Sequence, residues 1–145
     1  MSEQNLAIVR KSYEAWNARD PKALAALVSA DYVLESDTSP APVRGPQAFV
    51  EMAQMYWNAF PDSRLEIEGL HDAGDCVISR WRAVGTHRGE LMGIPATYKK
   101  VDVHGCSVNQ LKDGKITREW LYWDTGKMLQ QLGVLPAAGK GAGAR

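Results

Sequence analysis

The chain has 145 residues, 45% of them hydrophobic, and its 17 lysines and arginines are matched by 17 aspartates and glutamates. That length suits one domain with a proper core, and a net charge of zero argues against a nucleic-acid binder, which carries a basic field or stripe. No apolar run approaches the roughly 20 residues that span a bilayer, and "MSEQNLAIVRKSYEAW" has neither the basic nor the continuous apolar region of a secretory signal.

In chain order, Leu6, Val9, Tyr13 and Trp16 recur at helical spacing and predict an amphipathic first helix. In "NARDPKALAALV", Asp20 is an N-cap, Pro21 fits the first helical position, and Leu24, Leu27 and Val28 give a short second helix. "DYVLES" reads as a strand and "TSPAPVRGP" as loop. Pro46 opens a third helix with the stripe Phe49, Met52, Ala53, Tyr56 and Phe60, which "FPD" stops because Pro61 disfavours helical geometry in the residue before it. The period then changes. "SRLEIEGLH" alternates, with Leu65, Ile67 and Gly69 opposite Arg64, Glu66 and Glu68, as a half-buried strand does. After a turn at Ala73-Gly74-Asp75, "DCVISRWRAVGTHRG" is a longer β run. "ELMGIPATYKK" is an excursion, "VDVHGCSVNQL" a further strand, Lys112-Asp113-Gly114-Lys115 a hairpin turn, and "ITREWLYWD" the last strand. "TGKMLQQLG" predicts a terminal helix stopped by Gly133. Residues 1–135 are expected to form a single domain, and 136–145 a flexible Gly/Ala-rich tail with nothing to bury.

Three helices followed by about four hairpin-linked strands predict an α+β fold, with helices over one face of an antiparallel sheet. A twisted sheet of this kind curls, and helices over its concave face leave a cone-shaped cavity of the sort small molecules occupy. The series "AFPD", "GTHRGELMGIP", "DGKI" and Trp-x-x-x-Asp, with "YEAWNARD" near the start and "QLG" near the end, resembles the SnoaL-like polyketide cyclase and ester cyclase family. That family lies within the nuclear-transport-factor-two-like (cystatin-like) superfamily of α+β barrels. The resemblance runs nearly to Gly133. It implies the cone-shaped fold and a cofactor-independent enzyme that uses acid/base chemistry on a hydrophobic carbonyl compound, by aldol-type cyclisation or isomerisation. Because the fold also hosts non-catalytic binding and interaction domains, that alternative stands beside it.

Strand alternation sorts the candidates into sets without saying which set is inside. Trp120, Tyr122 and Asp124 share one parity, Arg80 and Arg82 another strand's, and His104 and Cys106 a third's. The resemblance implies that all of these point inward, and that Trp81, Trp123 and Val103 lie on the outer face, where relatives dimerise; a homodimer is expected. Asp124 stands at a strand-to-helix junction and suits an N-cap. The resemblance instead makes it the general acid/base, its pKa raised among aromatic rings. His104 would polarise a carbonyl or orient Asp124. Arg80, Arg82, Trp120, Tyr122, Tyr56, Asn58, His87 and Cys106 would bind substrate.

Other chemistries fare worse. His71, His87 and His104 share no metal-ligand spacing, so no metal is expected. Neither Cys76 nor Cys106 has an obvious base beside it, and no Gly-x-Ser-x-Gly elbow occurs. Two cysteines fit a reducing cytoplasm better than a disulfide framework. An epoxide-hydrolase-like Asp–Arg–Asp set, with Tyr56 and Asn58 to hold water and Arg80 between two acids, lacks one carboxylate, because Arg82 stands in its place.

Overall fold

A computed structural model describes residues 2–136; from residue 137 onward the expected tail lies outside the described residues. Helix α1 (Ser2–Asn17) is followed by α2 (Pro21–Ala26), β1 (Val28–Ser36), the short β2 (Val43–Arg44) and α3 (Gly45–Ala59). Strands β3 (Arg64–Asp72), β4 (Cys76–Thr86), β5 (Lys100–Lys112) and β6 (Lys115–Trp123) then lead to α4 (Thr125–Gln131).

Local signals set most boundaries. The Asp20 carboxylate accepts the Ala23 N–H at 3.1 Å and caps α2. That helix stops at Ala26, and Val28, expected within it, opens β1. The reason is tertiary: the Leu27 carbonyl accepts the Ile116 N–H at 2.9 Å, and Val28 pairs with Ile116 across the sheet. Phe60, ahead of Pro61, leaves helical geometry at φ −130° and ψ 76°. Asp113 and Gly114 both have positive φ, 52° and 77°, as a two-residue hairpin turn of the favoured hand requires.

The sheet has six strands in the order β2-β1-β6-β5-β4-β3. Every neighbouring pair is antiparallel except β1–β6, which is parallel. The expected sheet of about four antiparallel strands is thus extended by β1 and β2 beyond β6. Sequence periodicity identifies a strand but not a partner so distant along the chain.

The end of α1 is fastened to the far edge of the sheet. The Asn17 side chain donates to the Leu65 carbonyl and accepts the Leu65 N–H, both at 2.9 Å. The Arg19 guanidinium donates to the carbonyls of Pro61 (2.7 Å) and Ser63 (3.0 Å). Helices α1 and α3 therefore lie over the concave face of the curved sheet, with Val9, Tyr32, Leu34, Ala53 and Val77 buried between layers. Among the described residues, no helix is long and apolar enough to cross a membrane.

Candidate functional site

Between the helices and the concave face lies a cavity of about 150 Å³. Its walls are largely aromatic: Trp16, Phe49, Tyr56, Phe60, Trp81 and Trp123 all contribute. Tyr56 stands between two tryptophans, 6.4 Å from the ring of Trp16 and 6.4 Å from that of Trp123. Gly105 explains how the wall closes. It pairs with Trp81 on β4 and Trp123 on β6, and a Cβ there would overlap the Trp81 indole. The missing side chain leaves the space that this ring occupies.

Among the described residues lining the cavity, Glu119 is the one that carries a charge. Its Oε1 accepts the Tyr32 hydroxyl at 2.9 Å. Burial pushes the Glu119 carboxyl above its ordinary pKa, and hydrogen bonds from Tyr32 and Ser107 pull it part of the way back. Burial, with the Glu119 charge nearby, also holds the Tyr32 phenol well above its usual value, so Tyr32 stays a hydrogen-bond donor across the physiological range.

A polar seam continues from Glu119 across the sheet. The Trp81 indole N–H reaches Ser107 Oγ at 3.4 Å, and Ser107 also bonds Tyr13. The Tyr13 hydroxyl donates to Ser79 Oγ at 2.8 Å, which also receives the Asn109 amide at 3.2 Å. Register produces this seam, since Ser79 faces Ser107 and Asn109 faces Glu119 on adjacent strands. An apolar cavity with a few placed polar groups and a perturbed carboxyl is the pattern of a small-molecule site.

Most of the expected site residues lie elsewhere, because the inward parity is the reverse of the one expected. Trp81, Val103 and Trp123 line the cavity; Arg80, Arg82, His104, Cys106, Trp120 and Tyr122 belong to the convex face. The physical reason is solvation: two guanidiniums inside an apolar cavity would need two anionic partners, and one carboxyl, Glu119, lines it. Outside, Arg82 grips Asp102 with bonds of 2.8 and 2.6 Å and lies 3.6 Å from Glu66. Arg80 donates to His71 Nε2 at 3.1 Å, and His104 meets Glu68 at 2.8 Å. Tyr122 is 57% exposed, and Trp120 carries the Arg118 guanidinium over its ring at 5.4 Å.

Asp124 is a helix cap. Its Oδ1 accepts the Lys127 N–H at 2.8 Å at the start of α4, and the residue is exposed. Asp124→Ala is therefore expected to lower stability by about 1 kcal/mol through loss of the cap, which thermal unfolding checks. His87 is fully buried outside the cavity lining. Its Nδ1 accepts the Thr97 N–H at 3.2 Å, and its backbone pairs with Tyr98 and Lys99, so it fastens the excursion between β4 and β5. Asn58 is exposed on α3. Tyr56 alone of the expected binding residues lines the cavity.

Sequence reasoning missed Glu119, although a signal for it was present. Counting back by twos from Trp123 and Leu121 reaches an acid on an otherwise apolar face, which is an anomaly in a half-buried strand. Ser107 and Asn109 carry the same signal on β5. Among the described residues, no group of three or more His, Cys, Asp and Glu side chains is placed to hold a metal ion.

Comparison with known proteins agrees with this architecture. A family model described as SnoaL-like polyketide cyclase matches residues 7–132. The chain is 29% identical over 123 residues to the aklanonic acid methyl ester cyclase AcmA of Streptomyces galilaeus, covering 83% of this chain and 85% of that one. Among solved structures, AclR from Streptomyces galilaeus superposes with a TM-score of 0.85 at 27% identity, covering 99% of this chain and 90% of that one. IdmH from Streptomyces antibioticus gives a TM-score of 0.77 at 29% identity, covering 88% and 97%.

Proposed function

This chain belongs to the SnoaL-like polyketide cyclase family, and on that footing we propose that it is a cofactor-independent enzyme acting on a hydrophobic carbonyl compound held in the cavity, with Glu119 as the general acid/base. One observation carries the reading: a single carboxyl, its pKa raised by burial, stands inside an aromatic-walled cavity. Tyr32 holds the carboxyl at Oε1 and Ser107 also bonds the group; in this proposal the substrate approaches at Oε2.

In an aldol-type closure, the Glu119 carboxylate takes a proton from the carbon α to one carbonyl, and the C–H electrons form an enolate. The enolate carbon attacks a second carbonyl carbon of the same molecule, so a C–C bond forms as the C=O π bond opens to an alkoxide. Glu119 returns its proton to that oxygen. The net change is an isomerisation, and no other reactant is consumed. A raised pKa strengthens the base and brings the proton transfer close to balance at working pH.

Proton exchange tests this directly. In D₂O, the native chain should incorporate deuterium α to the carbonyl of aklanonic acid methyl ester, the substrate named for its relative AcmA, or of simpler aryl ketones. Glu119→Gln should not. Binding without exchange would favour the alternative of a non-catalytic small-molecule-binding or interaction domain. The epoxide-hydrolase-like reading loses ground on placement, since Asn58 and Arg80 are exposed and outside the cavity lining.

The proposal extends to a homodimer through the convex face, where Tyr122, Trp120 and Val108 stand in place of the residues first expected there. A monomer in sedimentation at micromolar concentration would overturn that part. It also includes a cytoplasmic setting, in keeping with two free thiols, Cys76 and Cys106.

A further inference from the structure

Asn109 lines the cavity directly across the β5–β6 ladder from Glu119 and is only 3% exposed. Both hydrogens of its side-chain amide are committed to β4, to the Val77 carbonyl at 3.1 Å and to Ser79 Oγ at 3.2 Å. Those bonds fix which end of the amide is which. Turned over, the amide would set its oxygen against the Val77 carbonyl, two acceptors with no proton between them. The oxygen, Oδ1, takes no hydrogen bond from any described residue, and it is not among the side-chain atoms sealed inside protein without a partner. Because Asn109 lines the cavity, we place the open side of Oδ1 there. A bare amide oxygen in so apolar a space is costly unless a donor reaches it.

We infer that Asn109 is a specificity-determining residue whose Oδ1 selects ligands carrying a free hydroxyl beside the carbonyl that meets Glu119. Directly paired positions on adjacent strands hold their Cβ atoms about 5 Å apart, so the two polar stations address one edge of a single ligand. Glu119 donates to a carbonyl oxygen when it holds its proton; Asn109 accepts from a hydroxyl. The two together fit an enolised dicarbonyl or a hydroxyaryl ketone. They disfavour the matching ether, which brings an acceptor and a methyl group where a donor is needed. An apolar cavity of roughly 150 Å³ encloses one benzene-sized ring, so the ring that enters it carries both groups while the rest of a larger ligand stays outside. This deepens the cavity reading above and rests on the cavity being the ligand site, but not on proton transfer by Glu119.

The test is an NMR titration of the full isotope-labelled chain with 3-hydroxyacetophenone, 3-methoxyacetophenone and acetophenone, following the indole signals of Trp16, Trp81 and Trp123. The hydroxy ketone should bind the native chain about tenfold or more tighter than either analogue, because a site built to hydrogen-bond a hydroxyl rejects ligands without one. In Asn109→Leu the preference should vanish while acetophenone binds as before. Equal binding of all three by the native chain overturns the inference, as does a preference that survives Asn109→Leu. Should that variant not fold, the native chain still decides: the Asn109 Cγ resonance must move on binding the hydroxy ketone and not on binding acetophenone. A hydroxyl preference without Glu119-dependent deuterium exchange sinks the acid/base reading and leaves Asn109 standing. Exchange without the preference sinks Asn109 alone.

Discussion

Glu119→Gln is expected to reduce turnover by roughly 10²- to 10⁴-fold, the usual loss when a positioned acid/base is removed, while the chain folds and binds ligand much as before. The replacement is isosteric, and its amide oxygen can still accept the Tyr32 hydroxyl that now bonds Oε1 at 2.9 Å. The variant loses only the exchangeable proton. Two pH signatures should accompany it. In the native chain, proton abstraction needs the carboxylate, so kcat/KM should fall on the acid side through a pKa that burial holds above the ordinary glutamate value. That limb should vanish with Glu119. Stability follows by linkage: a carboxyl whose folded pKa is raised contributes most below its unfolded pKa, and the contribution is lost as pH rises through the folded value. Above that window Glu119→Gln should therefore melt no lower than the native chain, and higher where burying the charge costs more than the Tyr32 and Ser107 bonds return. Retained turnover in the variant would place the proton transfer on another group.

Gly105→Ala is expected to overpack the cavity wall. The added Cβ would overlap Cζ2 and Cη2 of Trp81, and Trp81 is only 7% exposed. The ring has little room to withdraw except into the cavity, where it would leave its contact with Ser107 Oγ. Overpacking of this kind costs about 1–3 kcal/mol, which lowers the melting temperature by roughly 2–8 °C per kcal/mol for domains near this size. Affinity for cavity-sized aryl ketones should fall along with it, since the displaced indole takes the ligand's place. Scanning calorimetry and the same NMR titration check both effects. Native-like melting with native-like affinity would mean that Trp81 does not lie against Gly105.

Much of the scaffold was legible because its signals are local. Asp20 and Pro21 start α2, Pro61 ends α3, and Asp113-Gly114 turns the β5–β6 hairpin; each acts through the backbone of its own neighbours. The motifs from "AFPD" to "QLG" identified the family, which the match over residues 7–132 bears out. The working face was harder to read. Period two on β6 separates Trp120, Tyr122 and Asp124 from Glu119, Leu121 and Trp123 with equal force whichever set is inside. The resemblance pointed to the first set, and in the structure the second lines the cavity. Asp124 shows how near the two readings lie: its junction position suited a cap from the start, and its bond to the Lys127 N–H is that cap.

The sequence by itself determined the element order except for the short β2, which lies in the stretch read as loop, together with most turns and caps, the two alternating sets on each strand, and the family. Only the tertiary structure decided which set faces the cavity and that β1 pairs in parallel with β6. Alternation is a property of one strand, whereas inside and outside are set by the direction in which the whole sheet curves and by the helices fastened over it. Asn17 and Arg19 hold α1 to β3 and the turn before it, and that closure puts one carboxyl, Glu119, in an apolar space while the arginines of the other face keep their water.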